Sequence, residues 1–300
     1  MSNAHISTVR SFYRALTLRV GVFTDRFLGR ERPLANSRLL FEIGKAGADI
    51  RELRARLDLD SGYLSRLLRS VERDGLVEVA PLASDLRSRR ARLTAAGRKE
   101  LKHLDRLGDR FAEETLEPLS EAERARLVMA MSEVEKLLNL SFTRISVEDP
   151  DSADAKWCLG QYFAELGERF EGGFDAGRSI PADAGDLRPP RGTFLVARLD
   201  GRPVGCGAVK ATEPGVGSIK RMWVSREVRG TGVGRRLLLA LEKEAAGLGM
   251  GLLRLETNRS LNEAQALYRR NGYREVPAFN DEPHANHWFE KRNGPPEPPK

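Results

Sequence analysis

Residues 229–234 read Arg-Gly-Thr-Gly-Val-Gly, and residue types at that spacing suit the holding of a phosphate by backbone alone. Glycine lets a phosphate come close where a Cβ would block it. The segment from Gly234 to Leu248 is expected to be a helix, and the first N–H groups of a helix have no intrahelical acceptor while its dipole concentrates partial positive charge there. Arg229, Arg235 and Arg236 add charge nearby. Spacing excludes two other phosphate loops. A dinucleotide fingerprint needs Gly-x-Gly-x-x-Gly, whereas Gly230, Gly232 and Gly234 alternate, and a P-loop needs Gly-x-x-x-x-Gly-Lys-Ser/Thr, which does not occur. What matches is Arg-x-x-Gly-x-Gly, carried by Arg229, Gly232 and Gly234. The chemistry it suits is a pyrophosphate held by backbone at the helix start.

Such a loop needs a strand before it and a helix behind it. From Thr143 onward the chain alternates between the two: a strand in TRISVED, a helix in SADAKWCLGQYFAELGERFE, and a hairpin in GTFLVARLDGRPVGCGAVKAT turning at Asp200-Gly201. GSIKRMWVS then reads as a strand, followed by the glycine loop and its helix, a strand in GLLRLETN, a helix in NEAQALYRRNGY and a last strand in HWFEKR. Strands and helices sharing one sheet make an α/β unit.

The front half has another pattern. Leu64, Leu67, Leu68 and Val71 fall at i, i+3, i+4 and i+7, one buried helical stripe. Asp60 or Ser61 can cap its start and Gly75 can end it. Ser61, Tyr63, Ser65, Arg66, Arg69 and Arg73 are left facing outward, the layout of a helix that enters a DNA major groove. Two extended runs follow, Leu76 to Ala80 and Arg90 to Thr94, bracketing a tip that would carry Arg87, Arg89 and Arg90. A hairpin after a helix-turn-helix is a wing, and such a tip can reach a minor groove or the backbone. Charge agrees: residues 1–146 carry 27 basic and 21 acidic side chains, a net +6, against +1 for the remainder.

Over about residues 5–140 the chain resembles the MarR family of transcriptional regulators, on LSRLLRSVERDGLVE, on Asp85 and Arg87 spaced as the family's Asp-x-Arg, and on LTAAGRK. The resemblance implies binding to a double-stranded DNA operator, with Arg87 reading the minor groove and Asp85 holding it. It also implies a homodimer paired through the N- and C-terminal helices. Over about residues 143–292 the chain resembles the GNAT superfamily of acetyltransferases, on KRMWVSREVRGTGVGRRLL, LRLETN and AQALYRRNGY. That resemblance implies acetyl-CoA as cosubstrate, its arm running along Met222, Trp223 and Val224, its pyrophosphate on the N–H groups of Arg229, Gly230, Thr231, Gly232, Val233 and Gly234 beside Arg235, and its thioester near Asn258 where LRLETN splays away. Val224 N–H would donate to the developing oxyanion and Tyr268 would protonate the departing thiolate. A base for the amine is not assigned: Glu256 is one candidate and water another. His284 and His287 edge the expected acceptor pocket or serve structure alone.

Three hundred residues suit two domains. The expected organisation is a mostly α winged helix-turn-helix over 1–140, an α/β domain with a mixed central sheet over 141–292, and a disordered tail over 293–300. No metal motif occurs, the two cysteines, Cys158 and Cys206, suit a reducing compartment, and neither a membrane span nor a leader pattern is found, so a cytoplasmic protein is expected. The expected function is a DNA-binding regulator that also transfers acetyl from acetyl-CoA to an amine. The alternative is a regulator whose second domain senses acetyl-CoA or an amine without turnover.

Overall fold

The computed structural model describes residues 2–19, 33–82 and 85–294, with the side chains of 82–88 outside the described set. The chain divides into two compact units, Met1–Ala130 and Met131–Lys300. The last residues of the expected tail, 295–300, lie outside the described residues.

In the first unit α1 (Asn3–Arg19) precedes α2 (Leu34–Ile43), β1 (Ala48–Asp49), α3 (Ile50–Leu57), α4 (Ser61–Arg73), β2 (Val77–Leu82), β3 (Asp85–Leu93) and α5 (Ala95–Leu116). Carboxylates start the two central helices: Asp49 accepts from Arg51 N–H at 2.7 Å, and Asp60 accepts from Tyr63 N–H at 2.8 Å. These bonds satisfy donors that a helix start leaves free. Gly75, at φ +69°, follows the last turn of α4. The stripe of Leu64, Leu67, Leu68 and Val71 is buried and joins Leu39, Leu40, Leu53, Val77, Leu93 and Leu104 in one core. The strands form a sheet in the order β1-β3-β2, so the hairpin carries a third, two-residue strand on its edge. By contrast α1 buries nothing, and Ile6, Val9, Phe12, Tyr13 and Leu16 are all exposed.

The second unit holds a seven-stranded mixed sheet in the order β4-β5-β6-β7-β8-β10-β9. Its strands are β4 (Arg144–Val147), β5 (Gly192–Leu199), β6 (Arg202–Glu213), β7 (Val216–Val224), β8 (Leu252–Thr257), β9 (Arg274–Val276) and β10 (His287–Arg292). Asp200 and Gly201, at φ +50° and +74°, make the expected β5–β6 turn. Period-two alternation gives each face its helix. Phe194, Val196, Cys206, Ala208 and Trp223 pack with α7 (Ala153–Arg169), whereas Leu195, Val209 and Ile219 pack with Leu237, Leu238 and Leu241 of α8 (Val233–Gly247). The ring of Tyr268, on α9 (Asn262–Arg270), joins the second of these clusters. α6 (Glu121–Phe142) contains the division between the units and buries none of its residues. Among the described residues no helix is long and apolar enough to cross a membrane.

The start of α5 rests directly on the strand hairpin: a Cβ on Gly97 would stand 1.9 Å from the Leu76 carbonyl oxygen. Backbone cannot retreat as a flexible side chain can. Gly97→Ala is therefore expected to destabilise the first unit by roughly 1–3 kcal/mol, read as faster amide exchange in α4 and α5 with the second unit unchanged; equal protection in both proteins would contradict this.

Candidate functional site

Every strand contact in the second sheet is antiparallel except that of β7 with β8, and this pairing lasts only from Val216, Gly217 and Ser218 to Leu252, Leu253 and Arg254. Beyond Ser218 the two strands part, and a cleft opens between Ile219–Met222 on one side and Glu256–Asn258 on the other. Tyr162 and Leu166 of α7, Ala264 and Tyr268 of α9, and the loop residues Phe174, Glu282 and His284 complete its walls.

A bulge in β7 determines what faces this cleft. Cys206 of β6 pairs with Trp223 and Ala208 with Lys220, so Gly207 alone opposes both Arg221 and Met222. Arg221 takes the left-handed conformation, φ +57°, rarely adopted outside glycine. The extra residue reverses the alternation. Ile219 faces α8, yet Arg221 lies under α7, its guanidinium 4.7 Å from the centre of the Phe163 ring and 5.9 Å from that of Tyr162. Met222 then returns to the α8 face, Trp223 to the α7 face and Val224 to the α8 face. Gly207 makes room for this, since a Cβ there would meet Leu241 Cδ1 at 2.7 Å and Met222 Sδ at 2.8 Å.

At the end of β7 Ser225 N–H donates to Val204 O of β6 at 2.8 Å. Strand alternation therefore turns the Val224 N–H the other way, toward the splay. A single 3-10 turn, Arg226–Val228, leads into the glycine loop. Gly230 and Gly232 have φ +75° and +98°, and Gly232 is the N-cap of α8. The N–H groups of Gly232, Val233, Gly234 and Arg235 find no acceptor among the described residues. Gly234 differs from the other two: its φ is ordinary, and a Cβ there would make only van der Waals contact at 3.6 Å. Its surroundings do not require a glycine at that position, since the neighbours a Cβ would meet are the side chains of Val224 and Leu267 at ordinary contact distance.

Not every predicted side chain is free for a ligand. Arg229 donates to Val224 O at 2.9 Å and pairs with Glu165 of α7, so it fastens the loop to β7 rather than standing as loose positive charge. Trp223 donates its indole N–H to the same carboxylate at 3.0 Å, and Val233 is core; both offer only backbone. Thr231 Oγ1 donates to Val228 O, and Arg235 to Asn271 Oδ1 at 3.2 Å. Asn258 lines the cleft with its amide occupied, donating to His284 O at 2.7 Å and accepting from Ser260 N–H at 2.9 Å. Glu256, 6% exposed, is ion-paired with Lys220, 11% exposed, and faces Asn280 Nδ2 at 3.5 Å. His284 stands in the cleft wall beside Phe174, whereas His287 bonds Glu275 outside it.

Tyr268 is 5% exposed and lines the cleft, with no hydrogen bond from its hydroxyl to a described residue. Burial, then the neighbouring Tyr162 and Glu256, pushes it above its ordinary value, so it keeps its proton at neutral pH. Burial likewise pushes Tyr162 up to about 12, against an opposing pull from Arg221. Lys220, Arg221, Tyr162, Glu165 and Glu282 were not read as site residues from the sequence. KRM was visible as a motif, but the bulge that aims Lys220 and Arg221 to one face leaves no mark in a period-two pattern.

In the first unit Ser61, Tyr63, Ser65, Arg66, Arg69 and Arg73 all lie on the exposed face of α4, and Arg66 stacks 5.6 Å over Tyr63. The wing strands run longer than the sequence suggests, and Arg89 and Arg90 lie within β3 rather than at a tip. Arg90 corrects the expectation most clearly. It sits opposite Asp49, and its guanidinium donates to Ala46 O at 3.1 Å and Gly47 O at 3.2 Å, because β1 and its approach lie along that edge. The side chains of Asp85 and Arg87 lie outside the described residues.

Comparison with known proteins agrees with both halves. Residues 32–88 match the MarR family, and residues 160–273 match the acetyltransferase (GNAT) family. The chain is a fusion of a MarR family domain with a GNAT acetyltransferase domain. An IAA acetyltransferase of Azospirillum brasilense is 45% identical over 98 residues, which cover 32% of this chain and 64% of that relative. Among solved structures, one from Klebsiella pneumoniae assigned as an acyl-CoA N-acyltransferase is 31% identical, covers 51% of this chain and 98% of its own, and has a TM-score of 0.44. The IAA acetyltransferase of Bacillus cereus is 20% identical over 50% of this chain and 99% of its own, with a TM-score of 0.37.

The tie between α7 and the glycine loop carries a pH signature. Burial pushes the Glu165 carboxyl up, but hydrogen bonds from Arg229 and Arg169 outweigh it and hold it below the usual carboxylate range. A depressed folded value means that the contribution is complete above the unfolded glutamate value of about 4.3 and fades as pH falls through the folded one. Glu165→Gln is thus expected to lower stability by roughly 1–3 kcal/mol at pH 7, with the two unfolding midpoints converging below about pH 4; a pH-independent gap would disprove the assignment.

Proposed function

We propose that the second unit transfers an acetyl group from acetyl-CoA to an amine and that the first binds duplex DNA as a dimer, with domain limits near 1–140 and 141–292. The observation that carries the enzymatic half is the row of N–H groups at the start of α8 that find no acceptor among the described residues. These groups fit a pyrophosphate: Gly232, Val233, Gly234 and Arg235 would hold it through backbone. When bound, acetyl-CoA supplies an activated acyl group as a thioester. Val224 N–H, turned toward the splay, would donate to the acyl oxygen as negative charge develops there. Tyr268, still protonated, would give its proton to sulfur as the C–S bond breaks. The exposed edge of β7 from Met222 to Val224 would orient the arm between them. Since Glu256 is already engaged by Lys220, water in the cleft is the better route for the amine's proton.

That engagement of Glu256 also favours the second reading, a domain that binds acetyl-CoA or an amine and alters DNA affinity without useful turnover. Thiol release against an amine library, beside DNA titrations with and without acetyl-CoA, separates the two.

Tyr268→Phe is expected to lower kcat about 100-fold while calorimetry still detects acetyl-CoA. Gly234→Asp puts an acid where a helix start tolerates it, so the fold should hold while the dissociation constant of acetyl-CoA rises roughly tenfold or more; an unchanged constant would remove the cradle from the proposal.

For the first unit, the outward face of α4 with Arg66, Arg69 and Arg73 supports entry into a major groove, and the exposed apolar residues of α1 support pairing with a second copy. Arg66→Ala should weaken binding to a mixed-sequence duplex, and the slope of log affinity against log salt should fall by about one. Sedimentation should give twice the chain mass. An unaltered slope would assign the helix another role.

A further inference from the structure

The cleft that meets the acetyl donor has a second charged group that the transfer chemistry leaves unused. Lys220 is neutralised by Glu256. Arg221, one residue on, has no carboxylate partner among the described residues; its guanidinium is held instead by the rings of Phe163 and Tyr162. Several other arginines of this unit are tied to acids: Arg169 and Arg229 to Glu165, Arg226 to Glu168, Arg198 to Glu148 and Asp154. Placing Arg221 there costs a left-handed backbone at a non-glycine residue, a conformation that persists where surroundings over-determine it and that concentrates at ligand sites. A guanidinium stacked on aromatic faces keeps its N–H edge free for a planar anion. Across the same cleft Glu282, 7% exposed, has no cationic partner among the described residues; its carboxylate accepts from Ser179 Oγ at 2.9 Å, Ile180 N–H at 2.8 Å and His284 N–H at 3.4 Å. The cleft thus presents one uncompensated cation and one uncompensated anion.

We infer that the acceptor is a primary amine that also carries a carboxylate, the carboxylate held by Arg221 and the amine end drawn toward the Glu282 side. This rests on the proposed transfer reading, because it names the other substrate of that same cleft. The fixed, stacked guanidinium gives the carboxylate a bidentate site, and an uncharged amide in its place would leave the cation desolvated without a partner.

The test uses the full chain with acetyl-CoA and a panel of α-, β- and γ-amino acids, each beside its own carboxamide, with thiol release as the readout. The carboxylate member of an accepted pair should have a kcat/KM at least about tenfold above its carboxamide. Arg221→Gly removes the guanidinium and relieves the backbone, so it is expected to fold, and it should bring that ratio close to one; Arg221→Lys should restore part of it. Carboxamides used as well as the acids, or an equal loss for both members in Arg221→Gly, would overturn the inference. If no amine is turned over, the transfer reading fails and calorimetry with the same pairs in the presence of coenzyme A decides this one. Binding of an acid that Arg221→Gly loses would uphold it, and equal binding of acid and carboxamide would end it.

Discussion

The parallel pairing of β7 with β8 stops after three residue pairs, and the rest of the second unit is arranged around that stop. Two parallel neighbours need a crossover, and α8 supplies it, so the chain leaves β7 and enters a helix within a few residues. The strand end, the glycine loop and the first turn of α8 therefore fall at one place. Had β7 and β8 remained hydrogen-bonded to their ends, the Val224 N–H would be spent on β8 and no cleft would exist. Early separation leaves a polar strand edge inside a protein, which is costly unless something later occupies it.

The structure compensates for this open seam with buried charge on the α7 face. Glu165 gathers Trp223, Arg229 and Arg169, and so links the helix, the last turn of β7 and the loop behind it. Lys220 and Glu256 bridge the two parted strands directly. A buried ion pair is weak as a source of net stability, since desolvation offsets much of its attraction. Here its consequence is geometric: each tie holds a backbone segment whose ordinary strand partners are missing.

Much of this was legible in the sequence, for identifiable reasons. The buried stripe of α4 and the α8 start follow from period and glycine spacing, and the Asp200-Gly201 turn from turn chemistry. What escaped was anything set by an irregularity. The bulge at Arg221 inverts the facing of the next residues without altering composition, and it brings two consecutive cations, Lys220 and Arg221, to one side. The short strands β1 and β9 are too brief for a pattern, and β1 is what draws Arg90 away from the wing tip. Arg229, taken from its motif as charge for a phosphate, pairs instead with a glutamate 64 positions earlier, a contact no local rule reveals.

The raised phenols of Tyr162 and Tyr268 have a consequence for how this protein would respond to alkali. Burial holds both hydroxyls above the ordinary phenol value, so neither loses its proton near neutral pH. An acid that does not titrate contributes no falling limb to a rate profile. Under the proposed transfer, the rising limb would then track the deprotonation of whichever acceptor is present, moving along the pH axis as one amine replaces another.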